Sequence, residues 1–268
     1  MALRQPERRG AVGWVFIGDT QTEMENEGFY AAHAAAEQLD AFRRDPEVRA
    51  IVLTGQEDGQ FYRLNPRSHW DDPRYKDRLN PVKRKGQLGV ETAGPTAQET
   101  LLQMEKPVVC RLNGDAIGFG SSILWLCDVI VAWEGARVAW GFQGMGEIED
   151  SDGVRRGMPW AITPTYGTYS FPLMSPPLMK EFVMLSRVYT ARELADMRLI
   201  NYAVPRDDVD HLVEQVVDGF LARPSSVLSR TKRIINKHLV DEYVKVEDLA
   251  AAYSHLDLWE QGASGAMD

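Results

Sequence analysis

Residues 105–133 read EKPVVCRLNGDAIGFGSSILWLCDVIVAW, and this stretch decides the fold. Lys106–Asn113 (KPVVCRLN) is a short apolar run rich in β-branched residues, which predicts a buried strand. Gly118-Phe119-Gly120 opens a short helix predicted over 121–126, and Asp128–Trp133 (DVIVAW) is a second strand. Upstream, Ala11–Gly18 (AVGWVFIG) reads as a strand. Residues 28–44 are Ala-rich, with Ala31, Ala35, Leu39 and Phe42 on one helical stripe, and Asp45-Pro46 stops that helix. Ala50–Thr54 (AIVLT) is a strand ended by Gly55, and Thr96–Glu105 reads as a helix. Strand, helix and strand in alternation indicate an α/β layer architecture.

Downstream, residues 141–157 are Gly-rich and acidic. Helices are predicted over 178–186 and 190–198, the second opened by a Thr190/Glu193 capping box. A short strand follows at 201–204, then helices at 207–221, 227–239 and 243–260. The β-rich signals stop near Val204, which divides the chain into a core over 1–204 and a C-terminal helical region over 205–268.

The composition fits a globular chain with a substantial core: 268 residues, 44% hydrophobic and 26% charged. A disordered chain, a collagen-like chain and a disulfide scaffold are excluded. The net charge of -9 argues against bulk attraction to nucleic acid or an anionic membrane. Cys110 and Cys127 sit among apolar neighbours and read as buried free thiols in a reducing compartment. Met1–Gly10 is polar and Arg-rich, unlike a signal peptide, and no apolar run approaches the ~18 residues of a membrane span. A soluble cytoplasmic protein is expected.

Residues 55–90 look irregular, with Pro66, Pro73 and Pro81. Between Tyr62 and Gly86 eight Lys/Arg face three Asp, a locally basic loop in an acidic protein. Two readings stay open: a solvated loop, or a contact for the phosphates of a ligand through Arg67, Lys83, Arg84 and Lys85.

The order of motifs in residues 105–133 resembles the crotonase (enoyl-CoA hydratase/isomerase) superfamily: Lys-Pro, apolar strand, Asn-Gly, Gly-rich turn, short helix, Cys-Asp, strand. DPEVRAIVLTG (45–55), YTARELADMRLINYAVPRDDVD (189–210) and the helix carrying Lys232 resemble further stretches of that family, in order. The resemblance implies a spiral of ββα units, with a C-terminal helical region that makes a homotrimer or a dimer of trimers. It also implies a backbone oxyanion hole for the enolate of an acyl-CoA, in the setting of fatty acid metabolism. The donors it implies are the N–H groups of Phe119, in the Gly-rich turn, and of Arg63, in FYRLNP (61–66), where the sequence departs from the family pattern. CoA is expected only as part of the substrate, with no other cofactor.

The sequence also departs where the family's hydratases carry two glutamates. The first position is matched by Ser122. The second falls on Phe142 in one register and on Gly157 in another, the latter implying an insertion after Trp140. That insertion holds Glu147, Glu149, Asp150 and Asp152. Asp150 falls near the place where several family members keep an Asp, and it is the first candidate for proton transfer or water activation, with Glu149 and Asp152 next. Tyr166 could donate a hydrogen bond to substrate, or simply pack in its loop. His33 lies on the first predicted helix, one residue out of register with a histidine of the family's β-diketone hydrolase, and reads as an exposed helix residue; His69, in the basic loop, has no identifiable partner. Asp150–Gly153 has the pattern of a calcium-loop fragment, but the first and twelfth ligand positions would be Ile148 and Pro159, which excludes an EF-hand. No Cys/His cluster has metal-ligand spacing, and no Gly-x-Ser-x-Gly elbow occurs. The expectation is therefore an enoyl-CoA hydratase/isomerase-like enzyme without the usual glutamates. The alternatives are a C–C bond hydrolase of a β-dicarbonyl and a crotonase-like binding protein that has lost catalysis.

Overall fold

The computed structural model describes residues 4–18, 31–56, 59–62, 97–140, 148–156 and 174–260. Its first strands are β1 (Glu7–Arg9), β2 (Val12–Ile17), β3 (Ala50–Gly55) and β4 (Gly59–Tyr62), with helix α1 (Ala31–Arg44) between β2 and β3. Helix α2 (Ala97–Leu102) leads into β5 (Val108–Leu112) and β6 (Gly114–Ile117), then α3 (Phe119–Leu124), β7 (Val129–Trp133) and β8 (Arg137–Ala139). A two-stranded hairpin follows, β9 (Ile148–Glu149) and β10 (Arg155–Arg156). The rest is α4 (Pro176–Met184), β11 (Tyr189–Thr190), α5 (Ala191–Asp196), β12 (Tyr202–Val204), α6 (Val209–Leu221) and α7 (Ser225–Glu260).

Strands alternate between two sheets. One sheet has the order β1-β2-β3-β5-β7-β12 and the other β11-β8-β6-β4. From β2 to β12 the first sheet is parallel, and β4, β6 and β8 pair in parallel in the second. Each β3/β4, β5/β6 or β7/β8 step therefore places one strand in each sheet, which is the ββα spiral. The sequence shows β2, β3, β5, β7 and β12 as strands and misses the short β1, β4, β6 and β8.

Side chains alternate across the first sheet as the strand period requires. Ile51, Leu53, Val108, Cys110, Leu112, Ile130 and Ala132 enter the main core. Val52, Val109 and Val131 point to the other face, where Val209, Val213 and Val217 of α6 cover them. The predicted capping box is present: Thr190 accepts from Glu193 N–H, and Glu193 accepts from Thr190 N–H. Those bonds hold the Glu193 carboxyl below its usual range.

One expectation is corrected. The two helices expected at 227–239 and 243–260 are a single helix, α7. No Gly or Pro lies between Leu239 and Tyr243 to break it, and a Lys237–Asp241 ion pair of i,i+4 spacing supports the join. Helix α3 also begins at Phe119 rather than at residue 121.

Helix α7 is fixed to the amino end of β5 by charge. Lys232 is buried, and its Nζ donates to Asp128 Oδ2 at 2.7 Å and to Lys106 O at 3.0 Å. The same Asp128 oxygen accepts Val108 N–H at 2.7 Å. Burial pushes the Asp128 carboxyl up, and the Lys232 ammonium opposes that shift. No described helix is long and apolar enough to cross a membrane.

Candidate active site

The site grows from the carboxyl end of β5. Asn113 is buried there, and its Oδ1 accepts Gly55 N–H at 3.0 Å and the Thr54 hydroxyl at 3.3 Å. This ties the end of β3 to the end of β5 just before both strands' successors, β4 and β6, enter the second sheet. Strand β6 then runs into Gly118, which has φ 74 and ψ -128. That backbone favours glycine.

Gly118 N–H donates to Ala139 O of β8 at 3.0 Å, and Gly118 O accepts both the N–H and the hydroxyl of Ser121 at 2.9 and 2.8 Å. Phe119 and Gly120 begin α3, where the first N–H groups have no partner inside the helix. Among the described residues no backbone acceptor takes the N–H of Phe119 or Gly120. A Cβ on Gly120 would lie 2.5 Å from Tyr62 O, so the last residue of β4 lies directly against this turn. A pair of outward N–H groups at a helix start can receive a developing negative charge. Ser122 is buried on α3.

The acidic hairpin is held by carboxylates instead. Asp115 of β6 is fully buried; its Oδ1 accepts Arg137 N–H at 2.8 Å, and its Oδ2 accepts Ser151 N–H and hydroxyl at 2.7 and 2.8 Å. Arg137 Nη1 also donates to Glu149 O at 2.5 Å. The hairpin is thereby docked on β6 and β8. At its tip, buried Asp150 accepts the N–H groups of Asp152 and Val154 on Oδ1, each at 2.9 Å, while Gly153 takes φ 77. Asp150 shapes the turn as Asx residues do.

The structure thus fastens the hairpin tip, through Ser151 beside Asp150, to Asp115 of β6, the strand that leads into Gly118 and α3. Glu149 and Asp152 are exposed on the hairpin. Arg63, Arg67, Lys83, Arg84, Lys85 and Tyr166 lie outside the described residues, as does His69; of His33 the backbone alone is described. Asp115 escaped sequence reasoning. GDAI does not read as a strand, so only the structure shows a carboxylate inside a fully buried strand, where a charge needs hydrogen-bond donors. Among the described residues no group of three or more His, Cys, Asp or Glu could hold a metal ion.

The enoyl-CoA hydratase/isomerase family profile matches residues 31–256. The chain is similar to the carnitinyl-CoA dehydratases of Salmonella enteritidis PT4 and Salmonella choleraesuis. It is 29% identical to each over 190 residues, 69% of this chain and 64% of theirs. The matched stretch therefore spans less than two thirds of those relatives. Among solved structures, Pseudomonas aeruginosa OdaA superposes with a TM-score of 0.72 at 21% identity, covering 100% of this chain and 99% of the other. An enoyl-CoA hydratase/isomerase from Mycobacterium paratuberculosis gives 0.71 at 22% identity, covering 94% and 92%. These two likenesses concern the fold.

Proposed function

The chain belongs to the enoyl-CoA hydratase/isomerase family, and from that premise we propose that it is an enzyme acting on an acyl-CoA thioester. The thioester oxygen, as it takes on enolate charge, is held by the N–H of Phe119 at the start of α3 and by the N–H of Arg63, the residue after Tyr62. The observation that carries this reading is the Gly118–Gly120 turn. Its glycine geometry, its 3.0 Å anchor to Ala139 and its contact with Tyr62 support N–H groups that are in place before substrate arrives. Donors fixed in advance cost no reorganisation as charge develops; removing one costs about 10²–10³ in rate.

With Ser122 at the position of the first family glutamate, proton transfer falls to the acidic hairpin, Asp150 first. Its burial and its link to β6 through Asp115 and Ser151 support that role. The chain's similarity to carnitinyl-CoA dehydratases makes carnitinyl-CoA and its dehydration product the first substrates to try. A homotrimer or a dimer of trimers is part of the same reading. Exposed Val227, Ile234, Ile235, Leu249, Tyr253 and Leu256 on α7 support such an assembly.

A second reading, a binding protein without catalysis, is favoured by Asp150 Oδ1 already serving two turn N–H groups. Calorimetric titration with CoA and a panel of acyl-CoAs, followed by turnover assays, separates the readings. Saturable acyl-CoA binding with turnover supports the enzyme. Binding without turnover supports the second reading, and no binding to any CoA species defeats both.

A further inference from the structure

The amino end of the first sheet carries a cleft of about 490 Å³ between the end of α1, the starts of β3 and β5, and the first turns of α7. Five cationic side chains line it, Arg43, Arg49, Lys106, Arg230 and Arg233, against the single carboxylate of Glu105. The chain as a whole is at -9, so this is a local inversion of sign.

Two of the cations are fixed by neutral partners. Arg49 donates through Nε to Ser225 Oγ at 3.0 Å and through Nη2 to Arg223 O at 2.8 Å. Lys106 Nζ donates to the carbonyls of Phe42 and Asp45, each at 2.6 Å. These bonds set the side-chain positions and, being to neutral groups, add no countercharge. Arg43 is paired with Asp40 at 2.8 Å. Glu105 Oε1 stands 3.9 Å from both Arg43 and Arg233, too far for a hydrogen bond. Arg230 is exposed and has no ion-pair partner among the described residues. Burial pushes the Lys106 ammonium down, with Asp45 and Glu105 opposing, so an added anion would favour its charged form.

We propose that this cleft binds a phosphate-bearing small molecule, with Arg49 and Lys106 as its fixed floor and Arg230 and Arg233 closing on the anion from α7. A cleft of about 490 Å³ is large enough for more than one phosphate group and falls in the ordinary range of small-ligand sites. Guanidinium groups match phosphate oxygens in pairs, and cations held in place before binding lose little freedom on it. The site lies at the end of β5 opposite the Gly118 turn and does not rest on the acyl-CoA reading.

The test is calorimetry of the full chain with pyrophosphate, ADP and adenosine, at low and at raised NaCl. Expected is saturable 1:1 binding of pyrophosphate and ADP, none of adenosine, and loss of affinity with salt. Equal affinities for pyrophosphate and ADP identify the phosphates alone as the ligand; tighter ADP binding identifies a nucleotide. The double variant R230E/R233E changes two exposed side chains, and a thermal melt confirms its fold. It should weaken pyrophosphate tenfold or more. Glu105→Gln, which removes the opposing charge, should tighten it severalfold. No saturable pyrophosphate binding, or affinity unmoved in both variants, overturns the proposal.

Discussion

The two ends of β5 are held by different means. At the carboxyl end, the Asn113 side chain, main-chain bonds around Gly118 and the buried Asp115 satisfy one donor after another with little net charge in view. At the amino end, the Asp128–Lys232 pair fastens the long α7, and a cluster of cations faces a cleft. The first arrangement anchors the Gly118 turn through short main-chain bonds, which suits the proposed reception of a charge that develops during a reaction. The second tolerates longer distances and suits a ligand that brings its own charge. The two proposals assign one chemistry to each end of this parallel strand.

The contrast can be broken most severely at Lys232. Lys232→Ala leaves the half-buried Asp128 without its cation, and a loss of about 3 kcal/mol, below that of a fully buried pair, is expected by denaturant unfolding. The pH dependence follows from Asp128. Burial already raises its folded pKa above the unfolded value, and losing Lys232 raises it further. Its contribution is then present at low pH and lost as pH rises through the folded pKa, so the variant should suffer more at pH 8 than at pH 5. Equal losses at both would remove Asp128 as the cause.

At the other end, Gly120→Val drives a side chain into Tyr62 O. Turnover of whichever acyl-CoA is active should fall by about 10² or more, while amino-end anion binding stays unchanged. Asp150→Asn sharpens the distinction between charge and shape, because the amide oxygen still accepts the two turn N–H groups. A drop of about 10² in turnover with an unchanged melting temperature is expected; full turnover would confine Asp150 to shaping the turn. Asp115→Ala undocks the hairpin and should cost about 1–3 kcal/mol, seen as faster amide exchange at Ser151. The smallest effect, about 1 kcal/mol, is expected for Thr190→Ala, which removes the cap of α5.

What could be read from the sequence follows the same division. The inner strands announce themselves as apolar runs, and Gly118-Phe119-Gly120 as a turn into a helix, because both are written in neighbouring residues. Strands β6 and β8 do not: GDAI contains two residues that strands usually avoid, and RVA spans only three positions. The partnership of Asp115 with Ser151 crosses 36 residues and depends on the second sheet existing. The basic cleft is less legible still, since Arg43, Arg49, Lys106, Arg230 and Arg233 meet only when α7 crosses the start of β5. The join in α7 was missed for a local reason: its apolar periodicity weakens around residues 240–243 although nothing there breaks a helix.

The most direct measurement of the central claim is exchange of the α-protons of a saturated acyl-CoA with D₂O, followed by NMR. It reports enolate formation whatever reaction the protein completes. Exchange catalysed by the native protein, and abolished by Gly120→Val with CoA binding retained, is the expected result. Acyl-CoA that binds to the native protein and keeps its α-protons would contradict an enolate held at the Gly118–Gly120 turn.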